Sequence, residues 1–112
     1  MTGPLAGTRV LDLSSVVLGP LATQIMGDLG ADVIKIEAPA GDTTRYTGPA
    51  RSGDMAALFM GLNRNKRSLV LDLKQEGARD ALWRLIVGAD VFVHSIRPQK
   101  LAALGFGQKT AY

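Results

Sequence analysis

The sequence has no cysteine and only one histidine, and these two shortages exclude several kinds of chemistry. Without cysteine the chain forms no disulfide, offers no thiolate nucleophile and provides no sulfur ligand to a metal. One imidazole adds little, so we expect no metal site. The sequence also lacks an apolar run long enough to cross a bilayer and a charged N-terminal stretch followed by an apolar one. We therefore expect a cytoplasmic protein that does not bind membranes.

The charge is slightly positive, with 13 basic and 10 acidic residues spread along the chain. A net charge of +3 does not indicate a nucleic-acid surface, and a small anionic ligand is equally compatible with it. The densest positive segment is residues 63–67 (NRNKR). It could attract phosphates, but a solvated turn is the favoured interpretation. We expect no nucleic-acid partner.

Hydrophobic periodicity predicts alternating strands and helices in one domain that covers residues 1–112. Apolar runs predict strands, and apolar residues three to four apart predict helices. Gly30 is placed to end the first helix in a left-handed conformation. The predicted strands are residues 9–13, 32–37, 68–73 and 90–94, and the predicted helices are residues 20–29, 76–87 and a short one at 55–62.

This order predicts an α/β fold with a Rossmann-like parallel sheet and flanking helices, because strand, helix, strand repeats build parallel βαβ units. Residues 38–53 are rich in Gly, Pro, Thr and Asp and are expected to form an exposed loop. Within it, Asp42 and Arg45 could form a local ion pair or order the loop. Such a surface pair would be weak.

Ligands of open α/β sheets bind at the carboxyl ends of the strands, which here points to the turn at residues 14–20. This turn contains a single glycine, Gly19, and lacks the GxGxxG pattern of a dinucleotide site. The favoured interpretation from the residues alone is that Gly19 and Pro20 start a helix. His94, at a strand end without an assignable partner, is interpreted as a structural hydrogen-bonding residue.

Several motifs, in order and over nearly the whole chain, resemble the opening of class III (CaiB/BaiF-type) coenzyme A transferases. This family includes formyl-CoA transferase and α-methylacyl-CoA racemase, so membership does not by itself decide the reaction. The motifs are residues 4–14 (PLAGTRVLDLS), Gly19-Pro20, residues 29–37 (LGADVIKIE), Gly41-Asp42 with Arg45, residues 63–68 (NRNKRS), residues 71–74 (LDLK), residues 89–91 (ADV), Arg97-Pro98 and Leu104-Gly105.

The resemblance implies a coenzyme A site, with Lys74 as the side chain for phosphate or ribose. Ser95 and Ile96 depart from the Asn-Phe or Asn-Met usual in the family, which implies contact through backbone groups there. Ala38 and Ala103 stand where some members carry arginines near the nucleotide, so those charges are missing here. The implied cofactor-binding residues are Val16, Val17, Leu18, Ala38, Leu71, Asp72, Leu73, Lys74, Ser95, Ile96 and Arg97.

The resemblance also implies that the reacting groups are not in this chain. Family transferases use an aspartate nucleophile that lies beyond Tyr112, and the racemase branch uses a histidine and an aspartate that also lie downstream. No residue here is assigned a catalytic role, so we expect a fragment or truncated product that is inactive alone. The substrates implied are acyl-CoA and a carboxylic acid, and full-length members form interlocked homodimers. A racemase-type member and a non-catalytic CoA-binding fragment remain alternatives.

Overall fold

A computed structural model describes residues 2–106; Met1 and residues 107–112 lie outside the described part. Strands alternate with helices, as the sequence predicts. The strands are β1 (Arg9–Leu13), β2 (Asp32–Glu37), β3 (Lys66–Val70) and β4 (Val91–His94). The helices are α1 (Leu18–Asp28), α2 (Ala57–Leu62), α3 (Glu76–Val87) and α4 (Pro98–Ala103), with a 3-10 helix at Thr43–Tyr46.

The four strands form one parallel sheet in the order β3-β2-β1-β4. Val10 pairs with Val33 of β2 on one side and with Val91 of β4 on the other, which makes β1 a central strand. The chain runs outward from β1 to β3 and then returns to lay β4 against β1. The predicted α/β parallel sheet is thus confirmed, and the strand order reverses between β1 and β4.

The third strand is displaced from its predicted position at residues 68–73. It begins at Lys66 and ends at Val70, because the Lys66 side chain lies on the sheet face beneath α1 and pairs with Asp12. Asp72 ends the pairing by accepting the Lys74 amide in a local turn. Residues 71–74 therefore form a loop at the strand end instead of the strand's last residues.

Helix α1 packs on the sheet with its polar side, although its apolar stripe suggests that the apolar side would be buried. Leu21, Ile25 and Leu29 are at least 40% exposed, whereas Thr23 and Gln24 are buried. The reason is the sheet face below, which carries charged side chains that need polar partners. Gly30 adopts φ 104° directly after the helix end, as predicted.

The main core lies on the other face of the sheet, under α3 and α4. Its buried residues are Leu11, Leu13, Ile34, Ile36, Leu82, Leu101 and Phe106. Helix α4 was not predicted, and it adds Leu101 to this core. A smaller cluster of Val10, Ala31 and Val33 lies under α1. Across residues 2–106, none of the helices has the length and apolar character needed to cross a membrane.

Candidate functional site at the carboxyl edge of the sheet

Four connecting segments meet at the carboxyl edge of the sheet, because all four strands run in the same direction. They follow β1, β2, β3 and β4 and begin at Ser14, Ala38, Leu71 and Ser95. Ser15 and Ser95 lie at the point where the strand order reverses, and the Ser15 amide donates to Ser95 Oγ at 3.2 Å. This is the place where open α/β sheets bind ligands.

An open cleft of about 250 Å³ lies at this edge on the α4 side. Its walls are mostly apolar, and two lysines, Lys74 and Lys100, stand among them. Neither ammonium group has an ion-pair or hydrogen-bond partner within residues 2–106. The lining residues are Leu13, Ile36, Glu37, Ala38, Leu71, Asp72, Leu73, Lys74, Ile96, Lys100 and Leu104.

The cleft brings together six of the residues that the family resemblance implies for coenzyme A. These are Ala38, Leu71, Asp72, Leu73, Lys74 and Ile96. Val16, Val17 and Leu18 lie in the neighbouring β1–α1 connection, and Ser95 and Arg97 flank Ile96 without lining the cleft. Lys100 was missed because it belongs to the helix that sequence periodicity did not reveal.

The β1–α1 turn (residues 14–17) has an unusual backbone. Val16 has φ 72°, the left-handed region that β-branched residues rarely enter. Its amide donates to both carboxylate oxygens of Asp42 at 3.3 Å. Gly19 lies against Ser14 so closely that an added Cβ would be 2.3 Å from Ser14 Cβ. Gly19, in the first turn of α1, thus serves a close approach to this turn in addition to starting a helix.

Of the two roles considered for Asp42 and Arg45, the structure shows ordering of the loop and not a local ion pair, and residues 38–53 are not wholly an exposed loop. Asp42 is buried and pairs with Lys35, whose Nζ lies 3.0 Å from Oδ2. Arg45 instead binds Glu37 through two hydrogen bonds of 2.9 and 2.7 Å and stacks over the Phe59 ring at 3.9 Å. The two charges are kept apart because each has a partner on the end of β2.

The basic segment at residues 63–67 is only partly the solvated turn that was expected. Arg64 and Arg67 are exposed and pair with Asp28 and Asp32. Lys66, by contrast, has a side chain only 2% exposed, and its Nζ lies 2.9 Å from Asp12 Oδ2. Charge density alone does not distinguish a buried lysine from an exposed one, and the β3 register decides it here.

Two buried carboxylates are held in the charged state by their neighbours. Asp12 belongs to β1 and faces α1, and Asp42 lies in the connection that follows β2. Burial acts to raise the pKa of Asp12, but hydrogen bonds from Ser14, Thr23 and Lys66 outweigh it, so the pKa is lowered. Burial opposes ionisation of Asp42 as well, and hydrogen bonds from Thr44 and Lys35 again lower the pKa. Burial lowers the pKa of Lys66, with partial compensation by Asp12.

Glu37 lies at the boundary between this buried network and the cleft. Burial would raise its pKa, but the Arg45 guanidinium and the Asp42 amide lower it. The Glu37 carboxylate is therefore part of a neutralised ion pair and does not add a free negative charge beside the cleft.

Two further titratable side chains at this edge, His94 and Asp72, accept backbone amides. His94 Nδ1 accepts the Ile96 amide at 3.2 Å, which agrees with the structural role predicted for it. Asp72 lines the cleft with one oxygen engaged by the Lys74 amide. Within residues 2–106, no group of three or more histidine or acidic side chains could hold a metal ion.

Known proteins of one family are similar to this chain in sequence and in structure. A sequence profile described as CoA-transferase family III matches residues 5–111. Human succinyl-CoA:glutarate CoA-transferase is 44% identical over 105 residues, which cover 93% of this chain and 24% of the human protein. A formyl-CoA:oxalate CoA-transferase of Streptomyces avermitilis is 46% identical over 108 residues, which cover 95% of this chain and 26% of that protein.

A solved structure agrees with the sequence matches. The crystal structure of a CaiB/BaiF family protein from Brucella suis superposes with a TM-score of 0.92 at 36% identity, covering 99% of this chain and 30% of that one. The chain thus spans about a quarter of the length of the curated relatives it matches.

Proposed function

Because the chain belongs to CoA-transferase family III, as the motifs predicted, we propose that it supplies the coenzyme A-binding surface for moving CoA between an acyl-CoA and a carboxylic acid. The observation that carries this proposal is the cleft at the carboxyl edge, with apolar walls and two unpaired lysines. Apolar walls suit the adenine ring, and lysines suit phosphates as point charges.

The β1–α1 turn is proposed to hold the phosphate-bearing chain of CoA. The amides of Val17, Leu18 and Gly19 come at the start of α1, where a helix leaves its first N–H groups without partners. Those groups and the helix dipole favour an anion. Leu13 lines the cleft and directly precedes this turn, so one ligand can contact both regions.

The reacting carboxylate is proposed to come from outside the described residues. Acyl transfer through a covalent intermediate needs a nucleophile with free lone pairs beside the thioester carbonyl. Glu37 is bound by Arg45 through both oxygens, and the half-buried Asp72 accepts the Lys74 amide within its own turn. The names of the human and Streptomyces relatives favour transfer over racemisation.

The test is to purify the 112-residue chain, measure CoA binding by calorimetry and follow CoA exchange among acyl-CoA donors and carboxylic acids by mass spectrometry. We expect saturable binding of CoA and no exchange above background. Absence of binding would contradict the proposed site. Exchange that disappears with Lys74→Ala would contradict the absence of a reacting group.

The cytoplasmic location and the interlocked homodimer stay predictions. The homodimer is implied for full-length members only, so it is tested by native mass spectrometry of a full-length protein that contains this chain, where a dimer mass is expected and a monomer mass would contradict it.

A further inference from the structure

Val16 is held in a conformation that its own side chain disfavours. At φ 72° the Cβ of an L-residue crowds its own backbone, and a branched Cβ makes this worse. Residues in such regions persist only where the surroundings fix them, and they occur where geometry serves function. The contact that fixes Val16 therefore decides the shape of the β1–α1 turn.

That contact is Asp42, which accepts the Val16 amide with both oxygens at 3.3 Å. The Asp42 side chain is only 1% exposed. It is fixed in turn by the Lys35 ammonium at 3.0 Å and by the Thr44 amide and hydroxyl at 3.0 and 2.9 Å. Its position is thus set before any ligand binds.

The same lysine reaches the other end of the turn. Lys35 Nζ donates to the Ser14 carbonyl at 3.1 Å, so one buried ion pair holds the backbone of both Ser14 and Val16. The Asp42 amide is itself bound by Glu37 Oε2 at 2.6 Å, which ties the loop to the end of β2.

We propose that Asp42 is a positioning residue for coenzyme A: with Lys35 it holds Val16 left-handed and so sets the direction of the first amides of α1. This role rests on the proposed function of the turn as a ligand contact. Asp42 does not touch the ligand and acts through the Val16 backbone.

The experiment compares CoA affinity in four forms of the purified protein. The first two are the parent and a Lys35→Met/Asp42→Leu double variant, which removes both buried charges, leaves neither unpaired and takes away the acceptor of the Val16 amide. The other two carry the same pair of states in a Val16→Gly background, because glycine reaches positive φ without being held. Thr47→Val is the matched control, since it removes a hydrogen bond of the same segment, from Thr47 Oγ1 to the Thr43 carbonyl, and leaves Asp42 and its partners in place. Thermal unfolding verifies that each form folds.

We expect the double substitution to weaken CoA binding about tenfold in the Val16 form and clearly less in the Val16→Gly background. Thr47→Val should leave CoA affinity unchanged. An equal loss in both backgrounds, or no loss in either, would overturn the proposal. If the double variant does not fold, Asp42→Glu takes its place, since it keeps the charge for Lys35 and moves the carboxylate relative to Val16.

Hydrogen exchange separates failure of this proposal from failure of the proposed function. A parent protein that does not bind CoA contradicts the ligand site, and the positioning contact is then judged from the Val16 amide alone. That amide should exchange slowly in the parent and rapidly in the double variant. Equal exchange in both would overturn the role of Asp42.

Discussion

Buried charged side chains are the main peculiarity at the scale of single residues. Asp12, Lys35, Glu37 and Lys66 point to the sheet face beneath α1, where a parallel sheet normally carries aliphatic residues. Each has an opposite charge within 3.0 Å, and no buried side-chain polar atom lacks a partner in the described part of the chain. Removing one member of such a pair costs about 3–5 kcal/mol, because its partner is left as a buried charge.

These carboxylates should make the fold sensitive to acid. The pKa values of Asp12, Glu37 and Asp42 are lowered in the folded chain, so their stabilisation is present above the unfolded pKa values and is lost as the pH falls through the folded ones. We expect the free energy of unfolding, measured with urea, to fall steeply below about pH 4. The Lys35→Met/Asp42→Leu variant should show a shallower fall, and an unchanged slope would contradict the assignment for Asp42.

The two lysines of the cleft give a prediction for affinity. Lys74→Ala and Lys100→Ala should each weaken CoA binding about two- to fivefold, the range expected for one exposed charge contact. Arg84→Ala is the matched control, since it removes one exposed positive charge from the last turn of α3, away from the cleft. Calorimetry at two salt concentrations measures the effect. Equal losses for all three substitutions would indicate a general charge effect instead of a site.

At the scale of elements, the start of α1 depends on a glycine without a side chain. A Cβ on Gly19 would meet Ser14 Cβ at 2.3 Å, and Ser14 is itself buried and bound to Asp12. Gly19→Ala should therefore lower the free energy of unfolding by about 1–3 kcal/mol and weaken CoA binding. Gly77→Ala in α3 is the control, because its added methyl meets no atom within 4 Å and alanine favours a helix. Equal stability of the two variants would contradict the tight β1–α1 turn.

Elements governed by local periodicity could be predicted, and those governed by tertiary partners could not. Helix α3 runs over the predicted residues because its apolar spacing, Glu76 at its start and Gly88 at its end all agree. The predicted start of β3 was wrong because the strand begins at a lysine. A lysine in a basic segment indicates an exposed turn, and the sequence does not reveal that Asp12 pairs with it inside the fold. The exposed stripe of α1 was misleading because helical spacing identifies an apolar face without identifying what covers it.

The residues of the candidate site also include some that could be predicted from the sequence and some that could not. The structure places residues 71–74 and Ile96 around the cleft. These residues could be proposed from motif resemblance, because the motifs follow predicted strands and do not depend on the length of each strand. Lys100 and the Val16–Asp42 contact could not be found from the sequence. One depends on an unrecognised helix, and the other joins two loops that are distant in sequence and carry no shared pattern.

At the scale of the whole molecule, large apolar side chains lie in the open on α1. Leu18 is 85% exposed, and Leu21 and Ile25 continue the stripe one and two turns later. Contiguous apolar surface of this kind promotes association. A Leu21→Gln/Ile25→Gln variant of the 112-residue chain should associate less than the parent chain at every concentration, as measured by size-exclusion chromatography. Its unfolding temperature should be nearly the same as that of the parent. Leu82→Gln is the comparison in the core and should unfold the chain. If the Leu21→Gln/Ile25→Gln variant also unfolded, the stripe would be buried in the fold, which contradicts its exposure here.

The central claim is that the carboxyl edge of this sheet binds coenzyme A through two neighbouring regions, the start of α1 and the loop after β3. The most direct measurement is a titration of the isotope-labelled protein with CoA, followed by amide chemical shifts. Saturable shifts should concentrate at Val16, Val17 and Leu18 and at residues 71–74. Shifts that saturate elsewhere and leave both regions unchanged would contradict the account.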